Sequence, residues 1–66
     1  MKIDYSSEDV YSSDSTFDGV DDDGNKFVIY ANWNSWDKWS VDKIEWVDKV
    51  GTQEDEIIEQ FLSDNS

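Results

Sequence analysis

Sixty-six residues with seventeen Asp and Glu against five Lys, no His, no Cys and a formal net charge of -12 leave room for one domain. A chain this short buries only about 60% of the surface it exposes when unfolded, so its core is thin. The composition excludes a disulfide framework, a Cys/His zinc site and a histidine acid–base pair, and it makes nucleic acid and anionic membranes unfavourable partners.

With thiols and zinc excluded, a second subunit is the stabilising device left to so small a core, and a homodimer is expected. Aromatic residues make up 15% of the chain, four of them Trp, which argues against disorder throughout. No apolar run approaches the roughly 18 residues of a membrane span, and the N-terminal residues lack the basic and apolar regions of a signal peptide. The expectation is a soluble, cytoplasmic protein of one domain, residues 1–66.

The first fourteen residues, rich in Ser and Asp with isolated Ile3, Tyr5, Val10 and Tyr11, read as irregular or flexible. A short strand is expected from Thr16 to Val20, then a turn at Asp21-Asp22-Asp23-Gly24-Asn25, where Asp-Gly marks a hairpin. Lys26 to Trp33 combines Phe27, Val28, Ile29 and Tyr30 in the β-branched and aromatic mixture favoured in strands. Asn32 to Lys38 reads as a loop, and Trp39 to Asp48 as a third strand. In that strand Val41 and Val47 share one parity while Ile44 and Trp46 share the other; a regular strand keeps its apolar residues two apart, so a bulge is expected between Val41 and Ile44.

Gly51 ends the strand, and Thr52-Gln53-Glu54-Asp55 reads as a helix start with the Thr52 hydroxyl accepting from a first-turn amide. Ile57, Ile58, Phe61 and Leu62 then form one apolar stripe, and Glu54, Asp55, Glu56 and Glu59 load the half of the helix where the macrodipole favours anions. The predicted fold is α+β: a small antiparallel three-stranded meander with a C-terminal helix packed on one face.

Several clusters invite a chemical reading. The run Asp18 to Asn25 has the composition of a calcium loop, but aligning Gly24 with the glycine of an EF-hand puts Gly19 at the first ligand position and Tyr30 at the twelfth; a solvated turn is the expectation, with no metal or other cofactor. No carboxylate pair is singled out for glycosidase-type chemistry, and catalysis is not expected. Trp33, Trp36 and Trp39 recur every three residues and are readable as core, as a sugar-stacking platform or as a protein-binding anchor. Acidic side chains on one face of a strand repeat about every 6.6 Å, a regular anionic array of the kind a DNA backbone offers.

Three features in order, Asp21-Asp22-Asp23-Gly24, the aromatic strand Lys26 to Tyr30, and Asp55-Glu56-Ile57-Ile58 opening the last helix, resemble the small acidic uracil-DNA glycosylase inhibitors of tailed Bacillus phages. The resemblance covers about residues 21–62. It implies a homodimer that mimics DNA, fills the basic DNA-binding groove of uracil-DNA glycosylase in the bacterial cytoplasm, and receives the enzyme's protruding leucine in an apolar pocket. In the family an aromatic residue with an adjacent Glu, shortly before the glycine that precedes the helix, contributes to inhibition; Trp46 with Glu45 holds the similar place here, in reversed order, and the family's tyrosine before that glycine corresponds to Val50. The Trp-rich loop and the longer N-terminal part have no counterpart.

The expected partner-binding residues are Asp42, Glu45 and Asp48 for charge, and Trp46, Val50 and Trp39 for apolar contact. Two other readings stand beside glycosylase inhibition: a DNA mimic aimed at a restriction or CRISPR nuclease, and an interaction module that uses the Trp loop without mimicry. In all three, crowded carboxylates repel one another in the folded chain, and added salt screens that repulsion. The thermal midpoint, followed by circular dichroism, is expected to rise between about 20 mM and about 300 mM salt; a flat response sinks the idea of a clustered acidic surface.

Overall fold

The computed structural model describes residues 1–11, 14–33 and 38–65. Four strands, β1 (Lys2–Tyr11), β2 (Asp14–Val20), β3 (Lys26–Trp33) and β4 (Trp39–Trp46), are followed by a helix, α1 (Glu54–Asp64). They form one antiparallel sheet in the order β1-β2-β3-β4. The class is α+β, but the three-stranded sheet expected from the sequence is wrong by one strand.

The extra strand comes from the N-terminal residues expected to be irregular. Lys2, Ile3 and Asp4 pair with Val20, Gly19 and Asp18, the register then shifts, and Asp9, Val10 and Tyr11 pair with Thr16, Ser15 and Asp14. Polar side chains hold the chain together across that shift. The Ser7 hydroxyl accepts the Asp18 amide at 2.8 Å and donates to the Asp4 carbonyl at 2.6 Å, while the Asp4 carboxylate accepts the Ser6 amide and hydroxyl. Ser and Asp are weak strand formers in isolation, but pairing with a neighbour and a half-buried face override that preference.

Alternation builds the core. Phe17 and Gly19 of β2 and Phe27, Ile29 and Ala31 of β3 are buried, while Asp18, Val20 and Lys26 between or beside them are exposed. Ile44 of β4 joins them, and Ile57 and Phe61 of α1, one turn apart and fully buried, close the layer from the other side. The predicted stripe on α1 is therefore only partly used, since Ile58 is half-buried and Leu62 is exposed. An aromatic chain extends the core sideways: Phe17 lies 5.2 Å from Phe61 and 5.9 Å from Tyr5, whose hydroxyl donates to Asp64 at 2.6 Å and ties β1 to the end of α1. Burial, then that hydrogen bond and the Asp64 charge, push the Tyr5 hydroxyl far above its ordinary pKa.

The β2–β3 turn falls where Asp-Gly predicts it, with Gly24 in the left-handed region at φ 84. Asp21 organises it. Its buried carboxylate accepts the amides of Asp23 and Asn25 at 2.9 and 2.7 Å and the Asn25 side chain at 3.1 Å. The bulge in β4 is also where parity puts it: Ala31 pairs with Val41 and Tyr30 with Lys43, leaving Asp42 as the extra residue. The helix start differs from expectation. Gln53 and not Thr52 takes the N-cap position, without a side-chain bond to the helix amides; its amide group instead bonds Asp22 and Glu56, all at 3.0 Å. A side chain long enough to reach the β2–β3 turn wins over the shorter hydroxyl, and that clamp sets α1 against the sheet.

Gly19 sits where β2 crosses Phe27. A Cβ there would overlap the Phe27 ring and lie 2.8 Å from the Lys2 carbonyl oxygen. Gly19→Ala is expected to cost about 1–3 kcal/mol through overpacking, and Gly24→Ala about 1–2 kcal/mol through its left-handed backbone alone. Urea unfolding of both variants checks this, and a Gly19→Ala protein as stable as the parent would contradict the packing described.

Candidate partner-binding surface

The strand order leaves β4 as an edge, and the six residues expected to bind a partner fall on it or just beyond it. The structure does not bring them together. Trp39 and Asp42 lie toward one end of β4; Glu45 and Trp46 close its other end, and Asp48 and Val50 follow in the segment before α1.

Trp39 is a wall of the core. Half-buried, it meets Phe17, Phe61 and Trp33 edge-on at 5.8, 5.7 and 5.4 Å. Trp33, by contrast, is 53% exposed, and Trp36 lies outside the described residues. Trp46 is half-buried on the core side, edge-on to Phe27 at 5.7 Å and packed so closely on Gly51 that a Cβ there would come within 2.7 Å of its ring. Its indole nitrogen is buried and has no hydrogen-bond acceptor among the described residues. Val47 and Val50 beside it are 56% and 73% exposed, so the apolar surface at this end belongs to the two valines more than to the indole.

The charged members differ as much. Glu45 is exposed and pairs with Lys43 at 3.7 Å, an interaction worth about 0–1 kcal/mol at a surface. Lys43 also lies 4.6 Å over the Tyr30 ring. Asp42 projects from the bulge onto the open face of the sheet, where it accepts the Asn32 amide at 3.0 Å, and Asn32 in turn accepts the Ser40 hydroxyl. Asp14 neighbours Asp42; hydrogen bonding between the two carboxyls, burial and the repulsion of Asp42 raise the Asp14 pKa, against opposing effects of Asn32 and Lys43.

Sequence reasoning did not foresee how charge is divided between the two sides of the molecule. α1 carries Glu54, Asp55, Glu56, Glu59 and Asp64 and no lysine. The Gln53 clamp sets the exposed Asp22 and Glu56 beside each other. Lys2, Lys26 and Lys43 all lie on the opposite, open face of the sheet, the face shared with Asp18, Val20, Val28 and Tyr30. Strand periodicity was the signal available for this division, but it required knowing that residues 2–11 form a strand.

Asp21, the first residue of the turn motif, is buried by its turn hydrogen bonds and offers nothing to a partner. Burial raises its pKa, but the Asn25 and Asp23 hydrogen bonds outweigh burial and hold it below the usual carboxylate value. Asp22 is also lowered, by Gln53 first and then by the Met1 amine. Among the described residues no cluster of Asp and Glu has the arrangement of a metal site, and no helix is long and apolar enough to cross a membrane. Comparison with known proteins gives no match: no family model, no curated protein and no solved structure is significantly similar to this chain.

These shifts act in opposite directions on stability. Asp21 and Asp22, with folded pKa values below 3.8, stabilise the fold at higher pH and lose that contribution as pH falls through their folded values. Asp14, raised above 3.8, opposes folding when ionised, and acidification through its folded pKa removes the penalty. The thermal midpoint is expected to rise as pH falls from 7 into the carboxylate range and then to fall as pH drops through the folded values of Asp21 and Asp22, below 3.8. Asp14→Asn should diminish the rise and leave the acid limb in place; an unchanged rise in that variant would locate the repulsion elsewhere.

Proposed function

We propose that this chain is a protein inhibitor of the phage type that mimics DNA and blocks the basic DNA-binding groove of uracil-DNA glycosylase. One observation carries the reading: a lysine-free acidic helix, with Asp22 clamped beside it, directly follows in the chain a segment that exposes the apolar Val47 and Val50. Such a surface combines the two terms a groove inhibitor needs. Repeated carboxylates steer it to a basic groove and speed association, and a desolvated apolar contact slows dissociation. Trp46, Asp48 and Glu45 neighbour the two valines in the chain, and in this reading the indole adds to the apolar contact and the carboxylates to the steering. The resemblance to the phage inhibitors adds the identity of the target. Another DNA-binding enzyme, a restriction or CRISPR nuclease, presents similar basic chemistry and is the second reading. The exposure of Trp33 favours a third, an aromatic anchor on the side of the core remote from Val50.

Inhibition is tested in a uracil-excision assay, where the protein is expected to compete with DNA and to block excision at micromolar concentration. Val50→Asp and Trp46→Ala should chiefly raise the off-rate, the latter by about 2 kcal/mol or more, with circular dichroism confirming that the variant folds. Neutralising Asp42, Glu45 and Asp48 together should chiefly lower the on-rate and flatten its salt dependence. Undisturbed excision rules out the glycosylase, and the same titration against a nuclease then decides between the remaining readings.

A further inference from the structure

The open face of the sheet is built in rows, because strands in register place directly paired residues side by side. Lys2, Val20 and Lys26 form one row across β1, β2 and β3; Asp4, Asp18, Val28 and Glu45 form the next, across all four strands. A groove of about 460 Å³ opens over this end of the face, lined by Lys2, Asp4, Asp18, Val20, Lys26 and Val47. Val20 and Val47 are exposed in it. Cations and anions thus stand in adjacent parallel rows with apolar side chains among them.

A row of lysines beside a row of carboxylates is complementary to itself. A two-fold axis running across the strands between the two rows exchanges the rows strand by strand, so that Lys2 of one copy lies over Asp4 of another and Lys26 lies over Val28 between Asp18 and Glu45, twice, which is the condition for an isologous contact. The rest of the molecule opposes self-association. The helix side carries five carboxylates and no lysine and repels a second copy. Both sheet edges are interrupted, β4 by the Asp42 bulge and β1 by the register shift between Asp4 and Asp9, and such irregular, charged edges discourage strand-to-strand pairing.

We propose that the open sheet face, centred on the Lys2–Val20–Lys26 row and the Asp4–Asp18 pair, is the surface through which two copies of this chain associate, leaving both acidic helices outward. The dimer then doubles the acidic surface offered to a basic partner, and in that respect it rests on the proposed function, although the contact itself does not.

Sedimentation velocity from about 5 to about 500 µM, in low salt, tests the contact. The parent chain is expected to move toward twice its 7.7 kDa mass. Lys26→Glu and Asp18→Lys should each weaken association at least about tenfold, and the two reversals combined should restore it to within about threefold. Glu59→Lys on the helix should leave it intact or strengthen it. Restoration in the double variant also shows that a weakened single variant lost the contact and not its fold. A parent that stays monomeric over the whole range, single reversals without effect, a double variant no better than the singles, or dissociation on changing Glu59 would each overturn the proposal. Excision measured on the same samples keeps the two readings apart: a monomer that inhibits removes the dimer alone, and a dimer that does not inhibit removes the glycosylase alone.

Discussion

One layer of side chains between a single helix and a single sheet face holds this chain together. Phe17, Phe27, Ile29, Ala31 and Ile44 from the sheet meet Ile57 and Phe61 from α1, and each large member is worth several kcal/mol against its truncation. Net stability of so small a domain is of the same order as one such residue. Everything that positions α1 over the sheet therefore bears on whether the chain folds at all. Two polar contacts do so from opposite ends: Gln53 joins the helix start to the β2–β3 turn, and Tyr5 joins β1 to Asp64 at the helix end.

The same arrangement governs the electrostatics. With one face of the sheet covered by a helix, the other is left open, and the residues of alternate parity divide between them. Acidic residues on α1 face away from the core on an amphipathic helix whose buried members are Ile57 and Phe61. The lysines of β1, β3 and β4 go to the open side. A chain of net charge -12 thereby presents one strongly anionic surface and one mixed surface, an asymmetry that its average composition conceals. The acidic residues are also not equivalent to one another. Asp21 is consumed in building a turn, one oxygen of Asp4 holds the amide and hydroxyl of Ser6, and the nearness of Asp42 raises the Asp14 pKa.

Trp46 fills space at the end of the core and leaves its one polar atom unpaired. Its ring fills the space over Gly51 and Phe27, yet its indole nitrogen is buried without an acceptor, and an unsatisfied buried donor costs about 1–3 kcal/mol. Trp39, although similar in sequence context, spends its ring on Phe17 and Phe61. Among the described members of that series, the exposed aromatic is Trp33.

Local chemistry was legible in the residues themselves. The Asp-Gly turn, the aromatic strand β3, the bulge at Asp42 and a helix led by acidic residues all rest on preferences that act over a few positions: a left-handed glycine, β-branched packing, parity, and the dipole of the first turn. What the tertiary structure alone decided depends on partners distant in the chain. Residues 2–11 become a strand because β2 supplies the pairing that Ser and Asp do not favour alone. Gln53 displaces Thr52 at the helix start because Asp22, thirty-one residues away, is within reach of its longer side chain. The division of carboxylates and lysines between two faces follows from which parity the helix covers, and no local preference encodes which face that will be.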